Sequence, residues 1–216
     1  MVSMFFDYLP SIVSLTVIQL LGVMSPGPDF AVVVRNSLVH NRKIGVLTAV
    51  GVSLGILVHL SYILLGLGAV ISKTVWLFQL FKYLGAGYLM YLGIKGLLAK
   101  KQTTNFEDNI QHLTQPSAFI AIRTGFLVNA MNPKAMLFFL SLISAFVTPT
   151  VPTMITIIYA AIIFTSTLIW FSFIAICFSH ARLRSFFKNF QYLIERVTGG
   201  LLILLGMKIL FAEARS

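Results

Sequence analysis

The sequence predicts an all-α polytopic membrane protein, with six transmembrane helices laid out as two inverted three-helix repeats. Three observations carry this. Of 216 residues, 58% are hydrophobic and 10% charged, with a mean hydropathy of +0.92, whereas about a quarter of a soluble domain is charged. The apolar residues fall in long runs separated by short basic gaps. At about 20 apolar residues per crossing, the length accommodates about six helices and no extramembrane domain. Finally, a short motif pattern in the first half returns in the second.

The first run covers about residues 9–34, and its only charge is Asp29. No Lys or Arg precedes it and no small-residue cleavage site follows, so it is expected to persist as a helix rather than leave as a signal peptide. Inside it, Ser25, Pro26, Gly27, Pro28 and Asp29 interrupt the helix. The prolines withhold backbone donors and the glycine relaxes the chain, so one helix should end before them and another begin after. The second run, about residues 44–72, carries no charge. Its Gly51-Val52-Ser53-Leu54-Gly55 matches a nucleophile elbow on paper, but such an elbow needs a strand before it and His and Asp partners. Small residues at this spacing suit close helix packing instead.

The third run, about residues 75–98, carries Lys82 and Lys95 near its ends, where long side chains can snorkel. Residues 99–120 should form a cytoplasmic linker, most polar over 100–115. The fourth run, about residues 121–147, contains Asn129, Asn132, Pro133 and Lys134. Asn132 reads as an N-cap and Pro133 as the first residue of another half-helix. The fifth run, about residues 153–179, is uncharged, and the sixth, about residues 193–211, carries Lys208 near its end.

The net charge of +10 would suggest nucleic acid in a soluble protein. Here the basic residues sit in the gaps, where they set orientation and meet the lipid bilayer, and no nucleic acid is implied. Arg35, Arg42, Lys43, Lys95, Lys100, Lys101, Arg123, Arg182, Arg184, Lys188 and Arg196 share one face, against Lys73, Lys82, Lys208 and Arg215 on the other. Eleven against four places the linker in the cytoplasm and both termini outside. A re-entrant first run would leave five crossings and move the N-terminus to the cytoplasm. The single cysteine, Cys177, lies in an apolar run and signals neither a disulfide nor a zinc site. No HExxH, Walker sequence, paired catalytic carboxylates or metal cluster appears, so neither a metal nor a cofactor nor ATP-driven work within this chain is expected.

Met24-Ser25-Pro26, leading into FAVVV, is echoed 107 residues later by Met131-Asn132-Pro133, leading into LFFL. Gly87 with Leu92-Gly93-Ile94-Lys95 is echoed at an offset of 113 by Gly200 with Leu205-Gly206-Met207-Lys208. The repeats are residues 9–98 and 121–211. With three spans each, the second is inserted upside down, a plan of many secondary transporters whose substrates bind where the broken helices meet. Broken backbone in a membrane survives only in protein or beside a wet cavity. Half-helix N-termini attract carboxylates, although two kinks that merely shape the bundle remain an alternative.

Asp29 is the only acid well inside a span, which marks a proton, cation or substrate-amine site; the competing reading is a cap for the adjacent helix. Lys134 is its counter-charge or an anion contact, or else a packing residue. Ser53, His59 and Ser61, with Thr165, Ser166, Thr167 and Trp170, occupy matching spans and could line one cavity. Ser and Thr in membranes more often bond to their own backbone or a neighbouring helix, and His59 reads best as a satisfied interior histidine.

Four segments, MSPGPDFAVVVRNSL (24–38), NRKIGVLTAVGVSLGILVH (41–59), YLGAGYLMYLGIKGL (83–97) and GFLVNAMNPKAMLFFLSL (125–142), resemble the lysine exporter (LysE/RhtB) family. Asp after SPGP and the TLIWF stretch at 167–171 are most similar to its threonine and homoserine branch. The resemblance implies a multi-pass protein of the bacterial inner (cytoplasmic) membrane that is not an enzyme. It would export a small amino acid in exchange for protons, with no cofactor. Members differ in substrate among lysine, arginine, leucine, cysteine derivatives, threonine and homoserine lactones, and a homo-oligomer is left open. On this reading the substrate carboxylate meets the helix ends at Gly27 to Asp29 and Asn132 to Lys134, while Asp29 holds a proton or the substrate ammonium in turn. The rivals are a channel, a structural membrane bundle, or an exporter of another amino acid or of a cation. A single intramembrane carboxylate disfavours hard-cation coordination.

Overall fold

A computed structural model describes residues 2–64, 75–99, 114–147 and 150–211. Among the described residues there are eight α-helices and no strand. They are α1 (Val2–Met24), α2 (Pro28–Val39), α3 (Arg42–Leu64), α4 (Val75–Leu97), α5 (Ala118–Ala130), α6 (Pro133–Phe146), α7 (Thr153–Ser179) and α8 (Ala181–Phe211). At 1.5 Å per residue, the 23-residue helices α1, α3 and α4 reach about 34 Å and α7 about 40 Å, enough to cross about 30 Å of hydrocarbon. By contrast α2, α5 and α6, with 12, 13 and 14 residues, reach only about half that depth. Phe6–Met24, Arg42–Ser61 and Thr153–Ser179 qualify as spans by length and apolarity alone. The chain is an all-α polytopic membrane protein.

Both breaks fall where the prolines require them. Gly27 is the cap position of α2 and Pro28 opens the helix; Pro133 opens α6, and the Oδ1 of Asn132 accepts from the Lys134 backbone N–H at 3.0 Å. Three boundaries differ from the hydropathy reading. α1 begins at Val2 rather than near residue 9, α2 ends at Val39 rather than near residue 34, and α8 begins at Ala181 rather than near residue 193. Hydropathy marks only the part of a helix that lies in hydrocarbon. ARLRSFFKNFQY is too basic to score as a span, yet it holds neither Pro nor Gly to end a helix. Residues 65–72 of the second run, most of the linker (100–113), and Lys73, Lys100, Lys101 and Arg215 lie outside the described residues.

Two seams bring backbones close. α3 packs along α5: a Cβ on Gly51 would run into the Ile122 carbonyl and one on Gly125 into the Thr48 carbonyl, while one on Gly55 would lie 2.8 Å from the Phe126 carbonyl. The GVSLG segment therefore serves packing. Gly51→Ala is expected to destabilise the protein by about 1–3 kcal/mol through overpacking, against the usual gain from replacing a helical glycine. Gly87→Ala, with nothing within 4 Å of the added carbon, should hold or raise stability. Equal thermal midpoints in detergent for the two variants would refute the close α3–α5 seam.

α4 and α8 form the other seam and run antiparallel. A Cβ on Gly93 would lie 2.6 Å from the Gly199 carbonyl and 2.5 Å from Ile203 Cγ1; one on Gly206 would lie 2.9 Å from the Ala86 carbonyl and 2.8 Å from Met90 Cγ. Adding 113 to positions 93, 86 and 90 gives 206, 199 and 203, so the two sets of contacts exchange under the offset found in the sequence. Of the echoed pair Gly87 and Gly200, the first has nothing within 4 Å of an added Cβ, while one on the second would meet only Leu97 Cδ2 at 3.9 Å.

The interior divides into two apolar clusters. One gathers Leu15, Ile18, Leu89, Phe138, Ile155 and Leu202; the other gathers Phe30, Val33, Val52, Phe171, Ile174 and Phe178. The breaks lie between them.

Candidate functional site

Asn129 comes 11 residues after Ala118, about 17 Å along α5, and Thr167 comes 14 residues after Thr153, about halfway along α7. At this depth the two breaks meet around Asp29. Its Oδ2 accepts from Asn129 Nδ2 at 3.0 Å and from Asn132 Nδ2 at 3.1 Å. Its Oδ1 is buried and accepts from no group among the described residues. No side chain caps α2. Asp29 thus does not close its own helix but reaches across to the second break.

Lys134 reaches the opposite way. Its ammonium donates to the Ser25 carbonyl at 2.7 Å, the Ser25 Oγ at 2.9 Å and the Pro26 carbonyl at 2.8 Å. These oxygens follow the end of α1, where the helix dipole favours a cation, and all three ammonium protons are used. Gly27 leaves room for this stem: a Cβ there would lie 3.1 Å from Lys134 Cδ. Asn132 works in two directions, capping α6 through Oδ1 and holding Asp29 through Nδ2.

The remaining sequence candidates fall into two groups. His59 is buried; its Nε2 is 3.0 Å from the Asn129 carbonyl, and its ring stacks on Phe139 at 5.5 Å, so it props the residue that holds Asp29. Thr167 reaches the site, while Ser53 is spent on the Ala49 carbonyl of its own helix. Ser61, Thr165 and Ser166 likewise bond to their own helices. Trp170 packs against the cluster around Phe30.

Ser25, Gly27, Asp29, Asn129, Asn132, Lys134 and Thr167 line a cavity completed by Phe30, Ile56, Leu92, Phe138, Phe139, Phe171 and Leu202. Its volume is about 40 Å³, room for about three waters. The sequence reading passed over Gln19, which is fully buried and donates through Nε2 to Thr167 Oγ1 at 3.0 Å. The signal was present, since Gln19 is the only amide in the first run before its break. Phe138 and Phe139 gave no signal, because a lining phenylalanine and a lipid-facing one look alike in a run such as LFFL.

Broken helices around a buried acid and base, in a bundle that crosses the membrane, define a membrane transport protein. The chain belongs to the LysE type translocator family, whose sequence model matches residues 20–213. It is a translocator and not an enzyme. It is 28% identical over 203 residues to the threonine efflux protein of Escherichia coli (strain K12), covering 93% of this chain and 97% of that one. The threonine efflux protein of Salmonella typhimurium matches to the same extent. An uncharacterized membrane protein of Bacillus subtilis (strain 168), YrhP, is 30% identical over 86% of this chain and 91% of its own. No solved structure matches the chain.

Proposed function

We propose that the protein exports a small neutral amino acid, of the threonine or homoserine kind, across the bacterial inner membrane in exchange for a proton. The observation that carries the proposal is the open Oδ1 of Asp29 beside the cavity. A buried acceptor left unpaired is costly, and the two groups that would fill it are a proton on the carboxyl and the ammonium of an amino acid. A proton cancels the charge that holds the ammonium, so loading one releases the other, and that exclusion couples the two flows. The substrate carboxylate would lie toward the N-terminal ends of α2 and α6. With its protons committed to Ser25 and Pro26, Lys134 favours that carboxylate through its field rather than by contact. The names of the threonine efflux relatives support the substrate class.

The exchange of contacts between Gly93 and Gly206 supports an inverted repeat, with the α4–α8 seam on its axis. Alternating access would then be a rocking of the halves about that seam. At about 40 Å³ the cavity is too small for an amino acid, so loading would require it to widen. Proteoliposomes carrying the protein under an imposed pH gradient should accumulate threonine or homoserine against its concentration. Downhill flow alone would identify a channel, and no flow of these or of other candidate amino acids or cations a structural bundle.

The eleven-to-four basic asymmetry supports an orientation with both termini outside and the linker in the cytoplasm. Topology reporters fused after Thr104 and at the C-terminus should give opposite signals. Equal signals would overturn the six-span arrangement.

A further inference from the structure

The α-ammonium and carboxylate are common to all amino acids, so the groups around Asp29 cannot by themselves choose among them. Selection has to come from the walls that meet the side chain. Ser25, Asp29, Asn129, Asn132 and Lys134 all belong to the two breaks or adjoin them. The rest of the cavity wall is apolar, apart from Thr167 on α7.

The polarity of Thr167 is fixed by its partners. A hydroxyl has one proton and two lone pairs. The proton goes to the Ile163 carbonyl at 2.8 Å, and one lone pair accepts from Gln19 Nε2 at 3.0 Å. Gln19 cannot be turned over, because its nitrogen also lies 3.4 Å from the Ile163 carbonyl, where an amide oxygen would face another acceptor. One acceptor lone pair on Thr167 is left, so the group it meets in the cavity must be a donor.

We propose that Thr167, positioned by Gln19, is the specificity-determining contact for the transported side chain and selects one that carries a hydroxyl over its apolar isostere. This deepens the export reading above and rests on it. A methyl group against Thr167 forgoes the hydrogen bond that its second lone pair offers, a loss of up to about tenfold in preference. Gln19 is a positioning residue: it ties α1 to α7 and holds the hydroxyl of Thr167, which borders the cavity.

The test compares export of threonine with that of its isostere valine, in proteoliposomes of wild type, Thr167→Val, Thr167→Ser and Gln19→Met, each checked for monodispersity. Wild type is expected to prefer threonine by up to about tenfold. Thr167→Val should bring the ratio near one while valine export persists, Thr167→Ser should keep the preference, and Gln19→Met should lower it with valine export unchanged. A wild-type ratio near one, a wild-type ratio retained in Thr167→Val, or equal loss of both solutes in that variant while monodisperse would overturn the proposal. If Thr167→Val does not fold, a wild-type ratio in Gln19→Met overturns it. Wild type that moves neither solute would sink the export reading and this one with it, whereas active wild type with an unresponsive ratio sinks this one alone.

Discussion

Asp29→Asn is expected to abolish uphill export while leaving the protein folded. Asparagine has the same shape, and its amide oxygen can take the bonds that Asn129 and Asn132 now give to Oδ2. What disappears is the titration. Under one-for-one exchange, a difference of one pH unit sustains about tenfold accumulation, because 1.4 kcal/mol is tenfold. In the variant this ratio should fall to about one, the equilibrium value, while exchange of substrate for substrate continues and no longer varies with pH. Proteoliposome flux with and without a pH gradient separates these outcomes. Uphill export by Asp29→Asn at the wild-type rate and with its pH dependence would remove Asp29 from the mechanism.

Lys134→Met should have the largest effect on stability. It strips the donor from two carbonyls and a hydroxyl at the end of α1, and it leaves Asp29 as a buried charge without its nearby opposite. Unpaired buried acceptors cost about 1–3 kcal/mol each, and a buried carboxylate without a nearby cation adds to that. The double variant Asp29→Asn with Lys134→Met removes only the second cost, so it is expected to recover part of the lost stability and none of the transport. Thermal or chemical unfolding in detergent reads the first and flux the second. A single Lys134→Met as stable as wild type would show that the ammonium does not hold the first break in place.

The residues that make the site were legible because membranes tolerate few of their kind. Asp29, Asn132, Pro133 and Lys134 stand out in apolar runs, and the prolines located both helix ends to within a residue or two. The partnerships were not legible. Nothing in the spacing says that Lys134 bonds to Ser25 and Pro26 rather than to Asp29, because that depends on where α1 stops relative to α6, a matter of packing. Ser53 and Thr167 look equivalent in sequence, and both hydroxyls donate to the carbonyl four residues back on their own helices; only packing gives Thr167 a bond from Gln19 and a place beside the cavity. The start of α8 was missed for another reason. Hydropathy reports how apolar a helix is, and Ala181 to Phe190 is basic without holding a residue that ends the helix.

The bonds from Lys134 to Ser25 span 109 residues of chain. At about 5–20 residues per second of synthesis, the carbonyls that end α1 enter the bilayer about 5–20 seconds before their ammonium exists. Asp29 waits as long for Asn129 and Asn132, which lie 100 and 103 residues downstream. Until then the first break carries exposed acceptors and a carboxylate that hydrocarbon does not solvate, so α1 and α2 must linger at the headgroups or inside the insertion machinery. Insertion of the first half is therefore provisional. The nascent chain becomes a committed membrane protein only when α6 arrives, and truncated chains ending before Asn129 should be substrates for membrane quality control rather than folding intermediates.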